Sequence, residues 1–167
     1  MCAEFKKTAE EVKKLFEERG TDVLKSAGES LTRERVECEE AREALRHFMS
    51  RWHDLVRPSL LALACEAVGG DSSTLAPIGR ALTLLSGSTD VHDDMIDRTL
   101  AKKRGDTVLG RYGENIALWV GDVLIAEGYT ELFEGLMRLD IPPERKLTIV
   151  RLIKDLYFEM SDGEVLE

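Results

Sequence analysis

Residues 74–98 read TLAPIGRALTLLSGSTDVHDDMIDR, and the mixture of apolar and acidic positions in this stretch decides the fold. Leu82, Leu84, Leu85, Val91, Met95 and Ile96 recur at helical spacing, which predicts one long, largely buried helix over 74–98. Asp93, Asp94 and Asp97 stand on that apolar helix, where an unpaired charge is costly. Asp93 and Asp97 are one helical turn apart, with Cβ atoms about 5–6 Å from each other. Two such carboxylates repel unless a cation lies between them. Mg2+ suits the pair, because it takes one or two carboxylates and completes its shell with water and substrate phosphate. Asp94 points about 100° away and is better placed to orient a cationic neighbour. Lys102-Lys103-Arg104 follows directly. Acid, metal and basic side chains together predict a cradle for a diphosphate.

Outward from this stretch almost everything reads as helix. Residues 4–19 are rich in Glu and Lys around Phe5, Val12, Leu15 and Phe16, and Gly20 is expected to break that helix. Thr32 is the expected N-cap of a second helix reaching about Trp52. Pro58 fits the first helical position of a third, whose residues 59–68 are apolar nearly all round, as in a buried helix. Gly69-Gly70-Asp71-Ser72-Ser73 is a loop and Thr99–Thr107 a polar connection. Long helices are predicted over about 114–139 and 144–165, the latter with Leu147, Val150, Ile153, Leu156 and Tyr157 at helical spacing. The fold class is all-α, with a charged helical segment over 1–31 and a helical domain over 32–167.

Composition excludes several functions. The 167 residues carry 23 basic and 32 acidic groups, a net charge of −9, and the excess acid falls after residue 51. Nucleic-acid binding, which needs a basic face, is not expected. No apolar run reaches the roughly 20 residues of a bilayer span, so no transmembrane segment is expected. Three cysteines without metal or redox spacing suggest reduced thiols and a cytoplasmic protein. His92 adjoins the Asp motif but is expected to pack rather than to ligate. His47, His53, Trp119, Tyr129, Glu159 and Glu164 form no diagnostic pattern.

The ordered motifs resemble those of the trans-isoprenyl diphosphate synthases, the polyprenyl synthetase family. Arg57-Pro58 with the helix after it resembles the end of the family's G-K-R-L-R-P motif. Asp93-Asp94-Met95-Ile96-Asp97 resembles its first aspartate-rich motif, and Lys103-Arg104-Gly105 with Thr107 the basic motif that follows. Tyr112-Gly113-Glu114-Asn115, Gly121-Asp122 and Met160-Ser161-Asp162-Gly163-Glu164 resemble later elements in the same order. The resemblance implies the N-terminal half of the isoprenoid synthase helical bundle. It also implies Mg2+-dependent chain elongation, in which an allylic prenyl diphosphate ionises and isopentenyl diphosphate attacks.

Carried over residue by residue, the resemblance implies that Asp93 and Asp97 bind Mg2+ and the allylic diphosphate, with Asp94 beside them. Lys103 stands for an Arg on that diphosphate. Arg104 and Arg57 stand where arginines receive isopentenyl diphosphate. Ser88 and Thr89, five and four residues before Asp93, stand at the floor of the tail pocket. Both are small, which predicts a long product, with Leu84 and Leu85 as a deeper stop. Two positions depart from the pattern: Asp54 replaces a Lys and Ser86 a His or Gln. The family's second aspartate-rich motif lies beyond the equivalent of Glu167. The expected arrangement is therefore a split enzyme, active only with a protein resembling the C-terminal half. Because the family dimerises through this half, a heterotetramer is expected. The alternative is a catalytically silent subunit that regulates a full-length synthase or its chain length.

Overall fold

The computed structural model describes residues 2–166. Helix α1 (Cys2–Arg33) runs unbroken through Gly20. A Cβ there would lie 2.8 Å from the Ser59 hydroxyl and 2.9 Å from the Leu55 carbonyl. Gly20 is thus a notch for a crossing helix rather than a stop. The expected cap at Thr32 is also absent. Its hydroxyl donates back to the Glu29 carbonyl at 2.9 Å, inside α1, and α2 (Glu39–Arg51) starts only after Cys38.

Helix α3 (Val56–Ala67) places Pro58 third in the first turn, where a missing N–H still costs nothing. Its apolar composition predicts burial all round, yet only Pro58 and Ser59 are buried within it. Leu60 is half exposed and Val68, just past the helix, is 85% exposed. One side packs on α1 and α4, and no described residue covers the other.

A short 3-10 turn (Ser72–Leu75), whose cap is the Asp71 carboxylate accepting from the Ser73 amide, leads into α4 (Ala76–Ile96). The chain then turns at Arg98, whose φ of 54° is left-handed. The connection expected after it contains two strands of two residues, β1 (Ala101–Lys102) and β2 (Gly105–Asp106), paired Ala101 to Asp106 and Lys102 to Gly105. So short a ladder leaves no alternation to read. A one-turn helix, α5 (Val108–Tyr112), capped by the Thr107 hydroxyl, precedes α6 (Glu114–Arg138) and α7 (Pro143–Leu166).

Helices α4 and α6 form the spine, and both supply each of two cores. One core joins Ala27 and Leu31 of α1 and Phe48 of α2 to Leu84, Val91, Val120 and Leu124. The other joins Ile78, Ala81 and Leu85 to Leu132, Leu136 and Ile153 of α7. Close approach of the spine helices depends on Gly121, Gly128 and Gly135, seven residues apart on α6. A Cβ at Gly121 would overlap the His92 ring; at Gly128 it would stand 2.9 Å from Leu85 Cγ, and at Gly135 2.8 Å from Pro77 Cβ. The α4 partners descend as the glycines ascend, so the two helices run antiparallel. Arg80 ties them further. Its Nε and Nη2 donate to Glu131 Oε2 at 2.9 and 2.7 Å, with the two side chains 18% and 11% exposed. Among the described residues no helix is long and apolar enough to cross a membrane.

Candidate active site

A cleft of about 620 Å³ opens where the C-terminal end of α4 meets the α2–α3 turn and the β1–β2 hairpin. Helix α4 contributes Ser86, Thr89, Asp90, Asp93 and Asp94 to its wall. The hairpin contributes Lys102, Lys103 and Arg104, the α2–α3 region Arg51, Asp54 and Arg57, and α7 Met160. Of the sequence-predicted residues, Asp93, Asp94, Lys103, Arg104, Arg57 and Thr89 therefore meet in one cavity. Asp97 and Ser88 do not line it.

Helix α4 sorts its acids by partner. Lys102 Nζ stands 3.0 Å from Asp90 Oδ1 and 2.8 Å from Asp94 Oδ1. The Asp94 side chain is only 9% exposed, and burial pushes its carboxyl above the ordinary range, the Lys102 contact offsetting part of the effect. Burial works against the Lys102 ammonium too, but its bonds to Asp94 and Asp90 outweigh it and hold its pKa above the usual lysine value. Asp94 Oδ1 nevertheless has no well-aligned hydrogen-bond donor, so the contact is mainly ionic. The cationic neighbour of Asp94 is thus Lys102, which in the sequence stands out only as part of a basic triplet.

Asp93 and Asp97 are left over. Asp97 caps α4, its amide donating to the Asp93 carbonyl at 2.9 Å, which keeps the two residues one turn apart. Neither carboxylate has an ion pair or hydrogen bond among the described residues. Two free hard-oxygen donors on one side of a helix end fit Mg2+ with water and phosphate completing its shell. Among the described residues no three His, Cys, Asp or Glu side chains converge on one metal position, which does not suit a metal that needs an all-protein cage.

The hairpin carrying Lys103 and Arg104 is tethered at both ends. The Thr107 hydroxyl donates to the Thr99 carbonyl at 2.8 Å, and His47 Nε2 donates to the Asp106 carbonyl at 2.9 Å. The Arg51 guanidinium donates to the Arg104 carbonyl and lies where a Cβ at residue 105 would be. Gly105, with φ of 111°, is favoured by that left-handed backbone. The Lys103 and Arg104 side chains are exposed, and neither forms an ion pair among the described residues.

A second cavity, of about 30 Å³, adjoins the cleft and shares Arg57, Ser86, Thr89 and Met160 with it. Leu82, Leu85, Ile153, Leu156 and Tyr157 complete its lining. The expected open floor is not found. Ser88 is fully buried, and its hydroxyl lies 3.2 Å from the Tyr157 hydroxyl. Leu84 belongs to the other core, leaving Leu85 as the only α4 leucine of the expected stop. Tyr157 arrives from a helix distant in sequence, and only its helical spacing could have marked it as inward-facing. The glycines at 121, 128 and 135 were a clearer unread signal.

His92 packs against Gly121, its Nε2 3.8 Å from Asp122 Oδ1. His53 lies at the cleft mouth. Trp119 and Tyr129 pack on α6 against the cores. Glu159 is exposed outside the cleft, and the side chain of Glu164 lies outside the described residues.

The chain is 30% identical over 129 residues to a geranylgeranyl diphosphate synthase of Methanosarcina mazei, covering 77% of this chain and 39% of that protein. It is 29% identical over 116 residues to an Arabidopsis thaliana chloroplastic protein named heterodimeric geranylgeranyl pyrophosphate synthase large subunit 1, covering 68% and 30%. The solved geranylgeranyl pyrophosphate synthetase of Geoglobus acetivorans superposes with a TM-score of 0.75 at 28% identity, over 92% of this chain and 47% of that one. The chain therefore spans less than half the length of these relatives. The family described as polyprenyl synthetase matches residues 38–167, and the chain belongs to that family.

Proposed function

We propose that this chain supplies the allylic-diphosphate half of a trans-prenyltransferase site. The observation that carries the reading is the division of labour on α4. Lys102 pairs with Asp90 and Asp94, while among the described residues Asp93 and Asp97 have no ion pair, and Asp93 shares the cleft with Lys103 and Arg104, which are likewise unpaired there. In this reading Asp93 and Asp97 hold Mg2+, which when bound supplies Lewis-acid stabilisation of the diphosphate leaving group. Lys103 and Arg104 orient the same diphosphate from the hairpin, and Asp94 acts only through Lys102. The apolar lining around Leu85 and Tyr157 receives the hydrocarbon tail.

Elongation with isopentenyl diphosphate then needs the other half of the site. We assign that half to a partner chain resembling the C-terminal part of polyprenyl synthetases, in a heterotetramer. Exposed apolar side chains support the assignment: Leu152, Leu156 and Phe158 on α7, and Phe133 and Met137 on α6. Heteromeric assembly is also named for one relative. In the reconstituted complex Asp93→Ala and Asp97→Ala should each lower turnover by about 10²-fold or more with assembly intact. Normal turnover by both variants would favour a silent, chain-length-modifying subunit. One observation points that way, since Asp54 holds Arg57 by an ion pair.

A further inference from the structure

We infer that Asp54 is a resident counter-anion that reserves the cleft for a single diphosphate. The two departures from the family pattern, Asp54 and Ser86, are 32 residues apart in sequence but meet in the fold. Asp54 Oδ2 accepts from the Arg57 guanidinium and, at 3.2 Å, from the Ser86 hydroxyl; Oδ1 accepts from the Val56 amide at 3.0 Å. The Asp54 side chain is 11% exposed, so this is a built position rather than a passing surface contact. Three donors from three different residues engage both carboxylate oxygens.

The cations around the cleft divide accordingly. Lys102 is held by Asp90 and Asp94, Arg51 donates to the Arg104 carbonyl, and Arg57 is held by Asp54. Lys103 and Arg104, on the hairpin beside α4, are left to meet an incoming anion. At the α2–α3 end every cleft-lining guanidinium already has an acceptor, and a carboxylate stands in the wall. A diphosphate entering there would have to displace Asp54 from Arg57 and would leave that buried carboxylate without its charged donor, which is costly. The α2–α3 end of the cleft therefore excludes a second diphosphate and admits the uncharged part of a ligand, while the hairpin end binds the one diphosphate. The inference rests on the reading of the cleft as a diphosphate site, and it makes Asp54 a determinant of specificity.

The test is calorimetric titration of the purified full-length chain with isopentenyl diphosphate in the absence of metal, so that the α4 acids contribute no binding. Wild type should bind weakly. Asp54→Asn, which keeps the shape but frees Arg57 of its charge partner, should bind at least about tenfold more tightly. Asp54→Lys should gain more, and Arg57→Ala should cancel the gain of Asp54→Asn. Wild-type affinity equal to that of both variants, or an Asp54→Asn gain that survives Arg57→Ala, would overturn the inference. A parallel arm follows thermal stabilisation by Mg2+ with inorganic pyrophosphate, which Asp93→Ala should remove. Failure of that arm alone defeats the allylic-diphosphate reading and leaves the Asp54 comparison to be judged on its own titrations.

Discussion

Lys102 balances two carboxylates with one ammonium, and its loss leaves Asp94 buried beside Asp90 and Asp93. Lys102→Met should lower stability near neutral pH by about 1–2 kcal/mol, a modest figure because the ammonium is partly exposed. The sign with pH follows from the shifted groups. Asp94 titrates above its ordinary 3.8, so its ionisation penalty is complete above the raised pKa and relieved as pH falls through it towards 3.8. Removing Lys102 enlarges that penalty, and the gap between wild type and variant should narrow on acidification. Lys102 itself titrates above 10.5. Its contribution is complete below 10.5 and lost as pH rises through the raised value, so the gap should narrow again in strong alkali. Urea midpoints across pH check both limbs; a gap that widens in acid would contradict the assignment. Tyr157 carries a different prediction. Tyr157→Ala should open the small cavity beyond Leu85 and lengthen the prenyl product of the reconstituted complex by at least one five-carbon unit. Tyr157→Phe, which loses only the bond to Ser88, should leave product length unchanged in chromatographic analysis.

At the scale of elements, the glycine notches of α6 make an unusual substitution informative. Gly128→Ala raises helix propensity by about 1 kcal/mol, yet its Cβ meets Leu85 Cγ at 2.9 Å and the Leu85 amide nitrogen at 3.3 Å. Leu85 Cγ must shift while the tight backbone contact behind it leaves little room, so overpacking should win and the variant should be about 1–2 kcal/mol less stable by thermal or urea unfolding. Most elements were legible because their apolar spacing matches what they bury: α4, α6 and α7 appear within a few residues of the periodicity. Gly20 and Thr32 misled because local preference cannot see a crossing helix, and α1 continues through both. The apolar surround of α3 gave no direction, since composition says that a face wants cover without saying what covers it. The hairpin and α5 are too short for any period. Within the site, the acidic and basic residues were visible as types. Their pairing was not, because Lys102 with Asp94 and Asp54 with Ser86 are set by tertiary approach.

Large apolar side chains are exposed on α1, α3, α4, α6 and α7, among them Phe5, Leu60, Ile96, Met137 and Leu152. Ile153 is buried and Val150 and Tyr157 are partly so, which docks α7 on the spine, while Leu152 and Phe158 face outward. A surface of that kind is a partner site or an aggregation hazard. The isolated chain should show no elongation with Mg2+, an allylic diphosphate and isopentenyl diphosphate. Co-expression with a C-terminal-half partner should give a soluble two-plus-two complex by size-exclusion chromatography with mass measurement. Its interface should bury more than about 2,000 Å² and be largely apolar. Efficient turnover by the rigorously pure chain would overturn the split arrangement.

Three similar notches at seven-residue intervals create a hazard of their own. Helix α4 has two neighbouring berths on α6, each displaced by about 10.5 Å along the axis, and glycines alone discriminate poorly among them. Arg80 reads the correct berth. Shifted by one notch in one direction, it would meet Arg138 in place of Glu131; shifted in the other, it would press a guanidinium into the core beside Leu124. Either slip exchanges a buried ion pair for repulsion or for a desolvated charge. The Arg80–Glu131 contact thus works as a registration mark between the two helices, fixing the height at which α4 delivers its aspartates to the cleft.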